Sequence, residues 1–221
     1  MKLYSGPLSL FSRKVEIALR EKGLAFEREM VAFTQAAGYA PKHPSVLAAN
    51  PKGQVPVLID GDLALFDSTL IFEYLEDAYP SPPLYPVGAK ARARCRLLEL
   101  TADEILLRPV VRLMYRTGQQ ETDPERHRLR VEDMARAEDE LRAHYAKLDG
   151  QIGDAYLCGG FTVADIAMFM MIMFALRLRG PRLDAYPGLS AWYARVGARP
   201  SAAPAAAEIA AADKKLSRPL G

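Results

Sequence analysis

Apolar residues come in short blocks over the first 80 positions and at helical spacing over long stretches after that, so the chain divides into two halves. Residues 2–5 read as a short strand, broken by Gly6-Pro7, and 12–22 as a helix with Val15, Ala18, Leu19 and Lys22 on one side. Gly23 supplies the stop for that helix. Residues 26–31 read as a second strand and 43–49 as a short helix. The apolar runs 55–59 and 63–66 flank Asp60-Gly61-Asp62, a hairpin signal, and 68–78 reads as a helix closed by Tyr79-Pro80. The predicted order is β-α-β, a connecting α, then β-β-α.

Residues 81–88 carry three prolines and read as a linker. Beyond them the pattern is helical. Segments 89–118 and 123–148 are long, charged and amphipathic, as in a bundle. A loop over 148–160 precedes a helix over 161–179 that is apolar nearly all round, the expected buried centre of this half; shorter helices follow over 189–197 and 202–215. Met168, Met170, Met171 and Met173 spread round that apolar helix, which suits core packing and not a metal or cofactor face. No internal repeat is visible.

Composition narrows the function classes. The 221 residues carry 29 Lys+Arg and 27 Asp+Glu, a formal net charge of +2, with −2 on residues 1–80 and +4 on the rest. Nothing there calls for nucleic acid or an anionic membrane. Two cysteines, Cys95 and Cys158, and three scattered histidines make neither a disulfide scaffold nor a zinc site, so no metal is expected. Both cysteines read as small buried residues. The strand-like start has no leader pattern, and the longest apolar stretch, 166–176, is short for a bilayer span; the expected location is the cytoplasm.

Three local patterns then carry a resemblance. They are Ser9-Leu10-Phe11-Ser12-Arg13-Lys14-Val15-Glu16-Ile17-Ala18-Leu19; Asn50-Pro51-Lys52-Gly53-Gln54-Val55-Pro56-Val57-Leu58 with Leu65-Phe66-Asp67-Ser68 and Tyr74-Leu75-Glu76; and Phe161-Thr162-Val163-Ala164-Asp165-Ile166-Ala167. In this order and spacing the chain resembles the glutathione S-transferase (GST) superfamily, its serine-type tau, theta and zeta-like classes. The resemblance implies an α/β thioredoxin-like N-terminal domain (1–80, glutathione-binding), the linker 81–88, and an all-α helical-bundle C-terminal domain (89–221). It also implies a homodimer.

The implied chemistry has to hold two anionic ends of glutathione and favour a thiolate between them. A serine hydroxyl donating to sulfur favours thiolate over a thiol that otherwise titrates near about 8.5. The alignment puts Ser9 in that catalytic place, with Ser12 as the alternative or as the N-cap of the first helix. Val55-Pro56 stands where the family has a cis-proline that turns the Val55 backbone towards the cysteinyl part; locally, a proline opening a strand is as good a reading. Asp67-Ser68 reads as an N-cap, and its free helix N–H groups suit a carboxylate. The resemblance gives that place to the γ-glutamyl end, with Asp67 one methylene shorter than the usual Glu. Gln54 and Lys42 are the implied contacts to the glutathione backbone and glycine carboxylate, although Lys42 reads equally as a solvated lysine. Phe11, Arg108, Arg112 and Tyr115 are the expected second-substrate residues, in a pocket expected between the domains. Thr162-Val163-Ala164-Asp165 is a capping box, which assigns Asp165 to folding.

Conjugation of glutathione to small hydrophobic electrophiles, with peroxide reduction as a side activity, is the implied detoxification function. Disulfide exchange is not expected, because no cysteine lies in the 9–12 loop. A zeta-like isomerase is disfavoured by the missing Ser-Ser-Cys run. The remaining alternative is a non-catalytic GST-fold scaffold for a filament, stress or division protein, docking through the basic tail 213–220.

Overall fold

The computed structural model describes residues 1–153 and 155–218. Its contacts divide it into two compact units. The first comprises Met1–Leu84 and Pro200–Leu216; the second is built on Tyr85–Arg199.

The first unit holds a sheet of four strands, β1 (Lys2–Ser5), β2 (Glu27–Met30), β3 (Val57–Asp60) and β4 (Leu63–Phe66), in the order β2-β1-β3-β4. Strand β1 pairs parallel with β2, Leu3 opposite Arg28, and antiparallel with β3, Leu3 opposite Leu58; β3 and β4 are antiparallel. The parallel pair requires a crossover, which α1 (Leu10–Glu21) supplies. Helices α2 (Pro44–Ala49) and α3 (Ser68–Ala78) complete the β-α-β, α, β-β-α order expected from the pattern, which is the thioredoxin-like arrangement that the resemblance implies. The residues of β1 in the middle of the sheet, Leu3, Tyr4 and Ser5, are buried, as are Val57 and Leu58 beside them.

Helix α1 departs from the simple amphipathic reading, because Arg13, Lys14 and Glu16 are buried along with Val15, Ile17 and Leu19. Glu16 accepts from Ser5 (2.7 Å), Arg13 (2.8 Å) and Arg28 (2.9 Å). Glu208 of α9 (Ala202–Leu216) accepts from the same two arginines, at 2.8 and 2.6 Å. Burial works against its charge, but Arg28 and Arg13 hold its carboxyl below the usual range. The sequence pattern assigns α9 to the helical half; its contacts group it with the sheet, where Ala202, Ala205 and Ile209 are buried. At the other end, Lys22 donates to Glu76 (2.9 Å) and to the carbonyls of Tyr79 (2.7 Å) and Pro82 (3.0 Å), while Glu76 accepts from Leu84 N–H (2.9 Å). These bonds tie residues 82–84 of the expected linker to the first unit.

The second unit is helical. The single helix expected over 89–118 is instead α4 (Ala89–Leu100), a π-helical turn (Thr101–Leu106), α5 (Leu107–Leu113) and a 3-10 turn (Met114–Arg116). Pro109 lies inside it; proline cannot donate to the carbonyl four residues back and crowds it, and the helix is widened just ahead of that point. Helix α6 (Pro124–Asp149) packs on α5; α7 (Val163–Arg177) is buried from Val163 to Ala175 and packs against α4, α5 and α8 (Pro187–Gly197). All four methionines of α7 lie in this core. Asp165 does the folding work expected of it. Its carboxylate accepts from Thr162 N–H (2.9 Å) and hydroxyl (3.0 Å), Leu157 N–H (3.0 Å) and Trp192 Nε1 (2.8 Å). Burial nonetheless pushes its carboxyl up. Among the described residues, no helix is long and apolar enough to cross a membrane.

Candidate functional site

Gly6-Pro7 ends β1, and Ser9 N–H donates to Gly6 C=O (3.1 Å), turning the chain into α1. Ser9 is the N-cap: its hydroxyl oxygen accepts from Ser12 N–H at 3.2 Å and from the Ser12 hydroxyl at 3.0 Å. The expectation that Ser12 caps this helix is therefore corrected, because the helix opens at Leu10 and Ser12 lies inside its first turn, fully buried. Ser9 is half-exposed. With its oxygen accepting from Ser12, its own hydroxyl proton is left to donate away from the helix, and the Ser12 bond polarises it in that direction.

Tyr39, from the stretch between β2 and α2, lies over this loop. Its hydroxyl accepts from Leu8 N–H (3.2 Å), one residue before Ser9, and its ring stacks edge-on to Phe33 (4.8 Å). A Cβ on Gly6 would lie 2.5 Å from the Tyr39 oxygen, so only glycine allows this approach.

At the start of α3, Asp67 has φ 76°, ψ 124°, and its carboxylate accepts from Thr69 N–H (3.0 Å). A non-glycine residue in the left-handed half of the map costs on the order of 1–3 kcal/mol and is held there by its surroundings. Ser68, buried at N1, accepts from the ammonium of Lys14 (3.2 Å). Lys14 is itself fully buried, 5.7 Å from the Phe11 ring centroid and 5.1 Å from that of Phe72. The N-terminal end of α3, the Ser68 hydroxyl and a buried cation thus meet at one spot, a combination that favours a carboxylate.

The third element is the loop before β3. Asn50, buried, holds it: its side chain accepts from Lys52 N–H (2.9 Å) and donates to Gln54 C=O (2.7 Å), and its backbone carbonyl accepts from Gly53 N–H (2.8 Å). The Val55-Pro56 bond is cis. The Lys42 stem lies against Gly53, where an added Cβ would meet it at 3.2 Å, so Lys42 and Gln54, both exposed, flank one glycine.

Residues 3–83 match the family model "Glutathione S-transferase, N-terminal domain" and residues 131–195 match "Glutathione S-transferase, C-terminal domain". Glutathione S-transferase 3 of Zea mays is 34% identical over 214 residues, 91% of this chain and 90% of that one. The chain belongs to the glutathione S-transferase family. Among solved structures of the family, a sphingomonad glutathione S-transferase complexed with glutathione superposes with a TM-score of 0.75 at 28% identity, over 95% of this chain and 99% of that one. A "Stringent starvation protein A homolog" of Coxiella burnetii is 45% identical over 100 residues, 44% of each chain. Less than half the length of that relative is matched.

In this glutathione S-transferase the sheet unit alone carries Ser9 after β1, Lys42 before α2, Gln54, Val55 and Pro56 before β3, and Asp67 with Ser68 at the start of α3. Phe11 belongs to the same unit. Arg108, Arg112 and Tyr115 belong to the helical one. Arg108 is exposed. Arg112 is ion-paired with Asp133 (3.3 Å) and Glu140, and Tyr115 is hydrogen-bonded to His127 Nδ1 (2.8 Å) and to Glu121 N–H (2.8 Å). Two contributors escaped the sequence reading. Lys14 sits in a Ser-Arg-Lys run that looks solvated, and its position one place before the apolar Val15 was the available signal. Tyr39 lies in a stretch with no regular pattern, and nothing local marks it.

Proposed function

We propose that this glutathione S-transferase family member binds glutathione in its thioredoxin-like domain and transfers the thiolate to small hydrophobic electrophiles. The observation that carries this reading is the Ser12-to-Ser9 hydroxyl pair. It supports Ser9 as the group that donates to the glutathione sulfur, and Ser12, being fully buried, as the residue behind it. Donation to the charged form lowers the thiol's pKa and raises the nucleophile's population at neutral pH. The γ-glutamyl carboxylate is assigned to Ser68 and the N–H groups of α3, with Lys14 adding positive charge behind the hydroxyl. The Val55 backbone is assigned to the cysteinyl part, and Gln54 and Lys42 to the glycine end. Attack then needs only an electrophilic carbon positioned against the held sulfur. The reading includes the domain division at 80 and 89, a homodimer, a cytoplasmic location, a detoxifying role and peroxide reduction as a side activity.

The test is calorimetric titration with glutathione and conjugation of a generic aryl halide, for wild type beside Ser9→Ala and Ser68→Ala. Ser9→Ala should retain most binding and lose turnover by about tenfold or more, with the bound thiol's pKa moving back up; Ser68→Ala should lose affinity. Unchanged turnover in Ser9→Ala would remove the proposed role.

A second reading has its own support. The stretch most like the Coxiella relative is more similar, residue for residue, than the chain is to the maize transferase, and that relative carries a starvation-protein name. In addition, the Asp67 carboxylate is engaged by Thr69 N–H. On this reading the chain keeps the fold for protein contacts. Lys214 and Lys215 of the tail proposed for docking are the exposed end of α9, while Pro219 and Leu220 lie outside the described residues. No heat of binding at millimolar glutathione would favour it.

A further inference from the structure

The two cysteines read from the sequence as inert packing residues meet in the helical unit. Cys95 projects from α4, and Cys158 lies in the Tyr156–Gly160 turn that leads into α7. Their side chains are hydrogen-bonded to each other and both reach the Thr162 side chain at the α7 N-cap. Cys95 is fully buried, whereas Cys158 is half-exposed. The backbone keeps them in this relation. Leu157 N–H donates to Asp165 Oδ1 (3.0 Å), Gly159 N–H donates to Tyr156 C=O (3.2 Å), and Cys158 forms an isolated bridge with Gly160. Helix α4 packs directly on α7, so the Cys95 side is fixed as well.

We propose that Cys95 and Cys158 are a hydroperoxide-oxidisable pair, with Cys158 the attacking sulfur and Cys95 the resolving one, closing to an intrachain disulfide within the helical unit.

The chemistry matches the asymmetry of the two thiols. The hydrogen bond from Cys95 lowers the Cys158 thiol to about 7, opposed by burial and the Asp165 charge. The same bond, with burial, pushes the Cys95 thiol up. Near neutral pH the thiolate therefore resides on the sulfur that solvent can reach. Its sulfur attacks the terminal oxygen of a hydroperoxide; an S–O bond forms, the O–O bond breaks, and the departing hydroxide or alkoxide takes a proton from water. The Cys95 thiol then attacks the Cys158 sulfenic sulfur: the S–S bond forms, the S–O bond breaks, and hydroxide leaves with the Cys95 proton as water. The pair loses two electrons and two protons, and the hydroperoxide is reduced to water, or to an alcohol and water. This inference does not rest on the transferase reading, and its test uses no glutathione.

Reduced full-length protein is exposed to hydrogen peroxide, then denatured and alkylated with N-ethylmaleimide, and the adducts are counted by intact mass. Two adducts are expected before exposure and none after, on a chain that runs as a single species on a non-reducing gel and regains both adducts after dithiothreitol. Cys95→Ser should stop at a sulfenic acid on Cys158 that dimedone traps, and Cys158→Ser should leave Cys95 unoxidised under the same exposure. In the native protein, Cys158 alkylation should reach half its limiting rate near pH 7 in wild type and at least one pH unit higher in Cys95→Ala. Retention of both maleimide adducts in peroxide-treated wild type, or disulfide-linked dimers in place of the intrachain bond, would overturn the proposal whether or not the variants fold.

Discussion

Replacing Lys14 by Met separates ligand binding from stability. The ammonium is fully buried and 3.2 Å from Ser68 Oγ. A carboxylate accepting from the same hydroxyl at an ordinary distance of about 2.7 Å would sit about 5 Å from Nζ, given the bend at the hydroxyl oxygen. At an effective dielectric of about 20 that separation gives about 3 kcal/mol, or roughly a hundredfold in the dissociation constant for glutathione. Stability should respond differently. Methionine has nearly the same length, suits the rings of Phe11 and Phe72, and has no charge to desolvate, which offsets the lost bond to Ser68.

Calorimetry on Lys14→Met should therefore show glutathione affinity lower by one to two orders of magnitude, with a melting temperature equal to or above that of wild type. Lys14→Arg should recover part of the affinity. The decisive control is 4-aminobutyryl-Cys-Gly, which keeps the ammonium and lacks the α-carboxylate; wild type and Lys14→Met should bind it equally weakly. An affinity for glutathione within twofold of wild type, or an equal loss for both peptides, would refute the assignment of the carboxylate to Ser68 and Lys14.

Gly6→Ala should force Tyr39 away from the loop, costing about 1–3 kcal/mol by chemical denaturation and reducing turnover more than glutathione affinity, since it displaces Ser9; unchanged stability would refute the close approach. Asp165→Ala leaves four donors without their acceptor and should lower stability by about 4 kcal/mol or more, measured by urea unfolding. Tyr79 and Tyr74 both donate to Asp60 (2.7 Å each) and hold its carboxyl below the usual range, while Tyr74 is pushed up to about 12. Because the folded state lowers this carboxyl, its stabilisation is complete above the unfolded value of about 3.9 and is lost as pH falls through the folded one. The melting-temperature gap between wild type and Asp60→Asn should thus be constant near neutrality and shrink in acid; a gap independent of pH down to about 2 would refute it.

The pattern of apolar positions was enough for the sheet unit because its strands are short, bounded by glycine, proline and aspartate, and placed in an order that only a crossover through α1 can connect. Asp67-Ser68 was legible as a helix cap from residue chemistry alone, whereas Ser9 and the 50–56 loop came from the family resemblance and not from periodicity. The pattern failed at 101–106, where a proline inside an otherwise good helical period widens the helix, and at Ser12, where two serines three residues apart both suit a cap and the turn geometry chooses the earlier one. It also gave no sign that α9 returns to the sheet, since a contact between Glu208 and two arginines nearly two hundred residues earlier leaves no trace in local periodicity.

Charge on α1 explains most of what was illegible near the site. A helical wheel assigns Arg13, Lys14 and Glu16 to solvent and puts Lys22 with the apolar side; all four are buried, and each serves a different neighbour. Arg13 and Glu16 meet α9 and β2, Lys14 meets the start of α3, and Lys22 meets the end of α3 and the chain beyond it. Breaking the Arg13–Glu16 or the Lys22–Glu76 pair leaves the remaining charge buried, so each is costly to remove singly even where the intact pair adds little net stability. The helix that carries Ser9 at its N-cap is thereby held at both ends and along its length by groups whose partners are distant in sequence. That arrangement fixes the direction of the Ser9 hydroxyl relative to Ser68, and a site assembled from separate loops requires such fixing if it is to hold one small peptide at both ends.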